Sequence, residues 1–164
     1  MDRVPPETIP AHIRPMNFAG IELILELLQC LRGFYTGVDM DSLLVLMCVS
    51  DATMRPFVLD PNTPPEIICA ARPPDELRGS ISRLLIAERT GLPRETVRRK
   101  VNELCSSGHL LIDGDDRVRV AQALYDPRAW AAIERGHGAV LRYLDRLEAF
   151  AIEPRAVARA LPPD

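Results

Sequence analysis

The sequence has little of what metal binding or catalysis draws on. Its 164 residues include only three histidines, and its four cysteines stand at 30, 48, 69 and 105, with no CxxC pair and no histidine at a zinc-ligand spacing. We read these cysteines as buried thiols of a reducing cytosol, with Cys105 the residue to inspect for redox sensing. No Gly-rich phosphate loop and no Ser-His-Asp set is present, so neither an enzyme nor a cofactor is expected. The apolar runs "IELILELLQCL" and "LLVLMCV" are too short to span a bilayer, and Glu22 and Glu26 interrupt the first. The N-terminal "MDRVPPETIPAHIRPM" has no apolar core of the kind a signal peptide carries. We therefore expect a soluble, cytoplasmic protein with no membrane partner. Global positive charge is lacking too, since the net charge is −3.

What is present is a local departure from that average. Residues 78–120 hold nine Arg or Lys against six Asp or Glu, a net of +3, which leaves −6 on the remainder. One basic segment on an acidic body is the asymmetry expected of a module that meets a polyanion. Its centre is "ETVRRKVNEL", with Arg98, Arg99 and Lys100 in succession.

The flanking chain divides by composition. Residues 1–18 read as an extended arm, with Pro5, Pro6, Pro10 and Pro15 opposing regular structure. A helix is expected from about Ala19 to Arg32. Its polar positions Glu22, Glu26 and Gln29 form one narrow stripe, and so wide an apolar surface implies a subunit interface. Asp39 or Asp41 can cap a second helix running to about Met54. Together, residues 19–54 form a helical dimerisation and support region. Six prolines then make residues 55–79 a long loop, with one short helical turn at "PEIICAA".

From residue 80 to 121 the pattern sharpens. "SRLLIAERTG" predicts a helix with Leu84, Leu85 and Ala87 facing inward and Gly91 ending it. "ETVRRKVNELCSSG" predicts a second helix, stopped by Gly108. "HLLIDGDDRVRVA" predicts two short strands around a turn containing Gly114. Asp126 and Pro127 suit the N-cap and first position of a last long helix within 122–153. Its apolar face would be Trp130, Ile133, Val140, Leu141, Leu144 and Leu147, with Gly136 and Gly138 able to kink it. Residues 154–164 are a tail.

At 100° per residue, Val97, Val101 and Leu104 bury one face of the second helix. The outward face is then Glu95, Thr96, Arg98, Arg99 and Asn102, side-chain types that read base edges: Arg for guanine, Asn for adenine, Glu for cytosine. Arg94, Lys100, Ser82 and Arg83 lie better for phosphate. Glu95 has a second reading, as an i,i+4 partner of Arg99, and that pairing role is favoured.

The stretch Ser82–Ala121, "SRLLIAERTGLPRETVRRKVNELCSSGHLLIDGDDRVRVA", resembles the winged helix-turn-helix of bacterial transcription regulators. The resemblance rests on the spacing of Ala87 and Gly91, on "TVRR" in the second helix, and on "GHLL" leading into a wing. With the N-terminal helix and the long C-terminal helix, the order of elements is similar to that of the MarR-type (multiple-antibiotic-resistance) regulators. That likeness implies a mainly α fold with a small β-hairpin wing and N- and C-terminal dimerisation helices. It implies a homodimer on double-stranded DNA, and it adds Arg117 and Arg119 of the wing to the DNA-contact candidates.

Two alternatives stay open. The wing tip "DGDD" is acidic, which suits a winged-helix protein-interaction module with little affinity for DNA. A ligand- or redox-responsive sensor on the same fold would take a small-molecule effector, with Trp130 a candidate lining residue, or would use Cys105.

Overall fold

The computed structural model describes residues 9–121 and 127–153. The chain is mainly helical with one small antiparallel hairpin: α1 (Ile13–Phe34), α2 (Met40–Val58), α3 (Pro65–Ile68), a single 3-10 turn (Asp75–Leu77), α4 (Arg83–Thr90), α5 (Arg94–Ser106), β1 (Leu110–Ile112), β2 (Val118–Val120) and α6 (Pro127–Ala149). It divides into two compact units. One comprises residues 1–34 and 131–164, the other residues 35–130.

Proline position accounts for two departures from the sequence reading. The expected arm over residues 1–18 gives way to helix at Ile13, with Pro15 in the first turn. A proline there loses no hydrogen bond, because the first N–H groups of a helix have no intrahelical acceptor. The helix expected to stop at Met54 runs through Pro56 to Val58, so the 55–79 segment begins as helix. Buried Phe57 holds the last turn, and the Leu59 N–H closes it on the Arg55 carbonyl at 3.1 Å. The rest of that segment carries α3 and the 3-10 turn rather than the single turn anticipated. Asp39 is the cap of α2: its carboxylate accepts from the Ser42 N–H at 2.9 Å.

In the unit of residues 35–130, α2 packs against α4, α5 and β2, and α5 packs against α4 and β1. Leu43, Leu46, Val49, Ile81, Ile86, Val97, Val101, Leu110 and Val118 are fully buried there. Gly91 takes φ 71°, the left-handed conformation that lets α4 turn directly into α5. Ile86 and Ala87, not Leu84 and Leu85, face the core; the two leucines are exposed. Ser82 caps α4, its hydroxyl accepting from the Leu85 N–H at 3.2 Å. Gly108 (φ 78°) ends α5, and the His109 N–H reaches back to the Leu104 carbonyl at 2.9 Å.

The hairpin pairs Leu110 with Val120 and Ile112 with Val118. Ile81 extends it on the far side of β2 through reciprocal hydrogen bonds with Val118 of 2.9 and 2.8 Å. The left-handed residue in its turn is Asp116 (φ 56°) rather than Gly114. Thr53 sits between elements: its hydroxyl donates to the Val49 carbonyl and accepts from the Val120 N–H, while its carbonyl accepts from the Gly79 N–H.

In the other unit, Arg142 pairs with Glu26, Arg146 with Glu22, and Phe18 meets Phe150 edge-on. Among the apolar residues foreseen for α6, Leu147 is buried, whereas Trp130, Val140, Leu141 and Leu144 are exposed, as are Ile13, Phe18, Ile21, Ile24 and Leu25 of α1. Helix α6 runs without interruption through Gly136 and Gly138. Asp126, the cap foreseen for it, lies outside the described residues, as does the 154–164 tail. No described helix is long and apolar enough to cross a membrane.

Candidate nucleic-acid interface

Helix α5 forms because its apolar positions recur on one side. Val97, Val101 and Leu104 are buried together with Lys100, and Arg98, Arg99 and Asn102 fall on the opposite face. That outer face bears an open, shallow depression of about 640 Å³ lined by Glu95, Arg98, Arg99, Asn102, Glu103, Ser106 and Ser107. Four of the foreseen site residues thus line one face, Glu95, Arg98, Arg99 and Asn102, all exposed, whereas Thr96 is half-buried and does not line the depression. Arg94 at the start of the helix is exposed as well and forms no ion pair among the described residues.

The arginines of this face are held by acids one turn away. Arg98 makes a two-pronged contact with Glu95, donating from Nε at 2.9 Å and Nη2 at 2.6 Å. Arg99 donates to Glu103 at 3.1 Å. Glu95 therefore takes Arg98 at i+3, not Arg99 at i+4 as foreseen, and Arg99 turns instead to Glu103. The Arg98 guanidinium holds the Glu95 carboxyl below the usual carboxylate range, and Lys100 and Arg99 do the same for Glu103.

Lys100 departs from its expected place. It was assigned to phosphate at the edge of the groove, yet its side chain is only 6% exposed. Its ammonium donates to Asp39 at the start of α2 and to Glu103 at 3.2 Å. The cause is the packing of α2 against α5: residue 100 lies one turn from Val97 and Leu104, and α2 covers it with Asp39 in reach. Hydrogen bonds from Lys100 and from the Ser42 N–H lower the Asp39 pKa to about 2. The amine is spent on holding α2 to α5.

The hairpin residues are likewise engaged. Arg117 donates from Nε to the Ser80 hydroxyl at 2.9 Å and from Nη2 to the Ser80 carbonyl. Arg119 lies 3.5 Å from the Asp75 carboxylate, and its Nε is buried without a partner. Arg83 pairs with Asp116, and Ser82 caps α4. Sequence reasoning missed Asp39, Asp75, Ser80 and Asp116 as partners of these side chains. It also missed Arg78, which is almost wholly buried between Asp75 and the Val120 carbonyl. Apart from the Asp75–Arg78 pair, three residues apart, these contacts span 33 to 61 residues, where no periodicity marks them.

Two sensor candidates fare differently. Burial pushes the Cys105 thiol pKa up, which keeps it protonated at neutral pH and works against thiolate chemistry. Between α1 and α6 a crevice of about 330 Å³ is lined in part by Glu22, Glu26, Arg142 and Arg146, whose charges are matched in pairs. Among the described residues no group of His, Cys, Asp and Glu could hold a metal.

No protein-family model, curated protein or solved structure matches the chain.

Proposed function

We propose that the chain is a sequence-specific, double-stranded-DNA-binding transcriptional regulator of the winged helix-turn-helix kind, MarR-like in its order of elements. In this reading α4 and α5 are the helix-turn-helix, α5 is the recognition helix, and the β1–β2 hairpin is the wing. The observation that carries the reading is the outer face of α5. Arg98, Arg99 and Asn102 stand together on a helix whose opposite face is locked into the core by Val97, Val101 and Leu104. A helix so anchored presents base-reading side chains at a fixed angle. Arg94, Arg83 and Ser82 are assigned to phosphate. Lys100 is not.

The reading includes a homodimer built on α1 and α6. Its support is the exposed Ile21, Ile24 and Leu25 of α1 and Val140, Leu141 and Leu144 of α6, apolar side chains that a second copy would remove from water. Two-fold symmetry would place the recognition helices about 34 Å apart, so the operator should be near-palindromic.

The test is selection of bound fragments from genomic DNA across a salt series, followed by sequencing. Enrichment of one two-fold-symmetric site, lost in Arg99→Ala, supports the proposal. A folded dimer that enriches no sequence at any salt overturns it. One observation favours a second reading, as a protein-interaction module: Arg98, Arg99, Arg83 and Arg119 each already have an acidic partner, and Leu84 and Leu85 stand exposed on α4. Absence of enriched DNA together with a partner held through α4 would favour that module.

A further inference from the structure

The Arg83–Asp116 contact stands beside a backbone bridge. Ile81 and Val118 exchange both of their hydrogen bonds, which holds the start of α4 alongside the hairpin turn. Both carboxylate oxygens of Asp116 accept from Nη1 of Arg83. The turn that presents Asp116 is fixed from within. Asp113 accepts from the Asp115 N–H at 3.2 Å and from the Arg117 N–H at 2.9 Å, and the Asp116 N–H closes on the Asp113 carbonyl at 3.1 Å. Asp116 is thereby held at φ 56°, a left-handed conformation that glycine adopts more readily. Burial is unequal across the pair: the Arg83 side chain is 24% exposed and that of Asp116 72%. The cation is largely enclosed and its counter-charge stands in water. Nε of Arg83 is buried with no partner, so Asp116 does not use up the donors of the guanidinium.

We propose that Asp116 is an autoinhibitory latch: it occupies, in the free protein, the guanidinium of Arg83 that a DNA backbone phosphate takes in the complex. The inference rests on the DNA-binding reading of the same surface. A largely exposed carboxylate is a weak partner that water and salt readily replace. A phosphate diester offers the same geometry to the guanidinium, and a duplex supplies it with further contacts attached. The latch costs nonspecific binding most, because random DNA has no base contacts with which to offset displacing it. Asp116 thus acts as a discriminator between specific and random sites, seated on the hairpin rather than on the reading helix.

The experiment is a fluorescence-anisotropy titration of a random-sequence 25-base-pair duplex with wild type, Asp116→Asn and the double variant Arg83→Ala/Asp116→Asn. Each is measured from about 50 to 200 mM salt, with thermal unfolding to confirm the fold. Asp116→Asn should bind about three- to tenfold more tightly at low salt, with a salt slope steeper by about one, the signature of one added phosphate contact. The double variant should lose that gain. Asp116→Gly, which suits the left-handed backbone, should reproduce the gain if Asn disturbs the turn. A gain seen on a duplex that wild type fails to bind also supports the latch. Wild-type binding that neither Asp116 variant improves overturns the latch and leaves the DNA-binding reading standing. A gain that persists in the double variant assigns the effect to general charge and overturns it too. No binding by any variant at any salt overturns the latch, whereas the DNA-binding reading stands or falls on the genomic selection.

Discussion

Replacing Gly79 by alanine should be among the most damaging single-methyl changes in this chain. A Cβ built there would stand 2.2 Å from the Ala52 carbonyl oxygen and 2.9 Å from Cγ of Pro56. Neither neighbour is the free end of a flexible side chain. The first is helix backbone, the second a ring fused to it. Gly79 lies where α2 carries Pro56, which has no N–H to offer the Ala52 carbonyl four residues back. Relief of the overlap must pull the 79–82 segment away from α2 and stretch the 2.9 Å bond from the Gly79 N–H to the Thr53 carbonyl. Overpacking of this kind costs about 1–3 kcal/mol, and loss of the hydrogen bond adds about 1 kcal/mol. The sum is about 2–4 kcal/mol, or a fall in Tm of about 6–12 °C at roughly 3 °C per kcal/mol for a chain of this size. The assay is thermal and urea unfolding followed by circular dichroism, with Gly114→Ala as the control. A Cβ at Gly114 meets nothing within 4 Å, and its φ lies outside the left-handed range, so that change should stay within about 0.5 kcal/mol of wild type. Equal Tm values for the two variants would refute the packing argument. The same result would undercut the site, because Gly79 is what seats Ser80, Ile81 and Ser82 ahead of Arg83.

Three other outcomes follow from the ion pairs and thiols. Lys100→Met keeps the packed stem but removes the ammonium. It should cost about 1 kcal/mol in urea unfolding, since Asp39 can rehydrate, and should leave the salt slope of DNA binding unchanged. Arg94→Ala should instead lower that slope by about one, and a slope change with Lys100→Met would return Lys100 to the phosphate surface. Because the folded-state pKa of Asp39 is depressed to about 2, its charge stabilises the fold above about pH 4, and that contribution fades as the pH falls towards 2. With Asp39 more than half exposed, solvent screening holds the contribution to about 1 kcal/mol or less. Asp39→Asn keeps a capping side chain, so its Tm deficit at pH 6 should shrink as the pH falls towards 2, whereas a constant deficit would mean that the charge is idle. Burial raises the thiol pKa of Cys48 and Cys105 while Cys69 is exposed, so a disulfide reagent at pH 7.5 should label Cys69 first; rapid labelling of Cys105 would revive it as a sensor.

How much of this was legible in the sequence depends on how far each signal reaches along the chain. The buried stripe of α5, the left-handed Gly91 and the Asp39 cap depend on residues within a few positions, and there the pattern and the structure agree. The bounds of α1 and α2 were misjudged because proline was read as a terminator. Pro15 sits in a first turn, where its missing N–H goes unused, and Pro56 lies inside α2, which continues past the lost bond to the Ala52 carbonyl with Phe57 buried beyond it. Helical phase alone put Lys100 at a groove edge. What decided its place was Asp39, 61 residues upstream, on a helix whose packing against α5 no local periodicity encodes.

The same distance effect governs the candidate site. A local count over residues 78–120 gives +3, and taken alone it describes a phosphate-seeking surface. That count already includes Glu95, Glu103 and Asp116, which pair with Arg98, Arg99 and Arg83, and the folded chain adds acids from outside the segment: Asp75 to Arg119, Asp39 to Lys100 and Asp51 to Arg89. Charge so matched attracts weakly at long range, since each pair presents a dipole rather than a monopole beyond about 8 Å at physiological salt. A DNA-binding protein built this way would associate slowly with random duplex. It would gain affinity only where base contacts compensate for reopening its own ion pairs. Matched arginines therefore need not argue against a nucleic-acid surface. They shift its predicted character from strong, indiscriminate binding towards modest binding with a high ratio of specific to random sites, and the salt series measures that ratio directly.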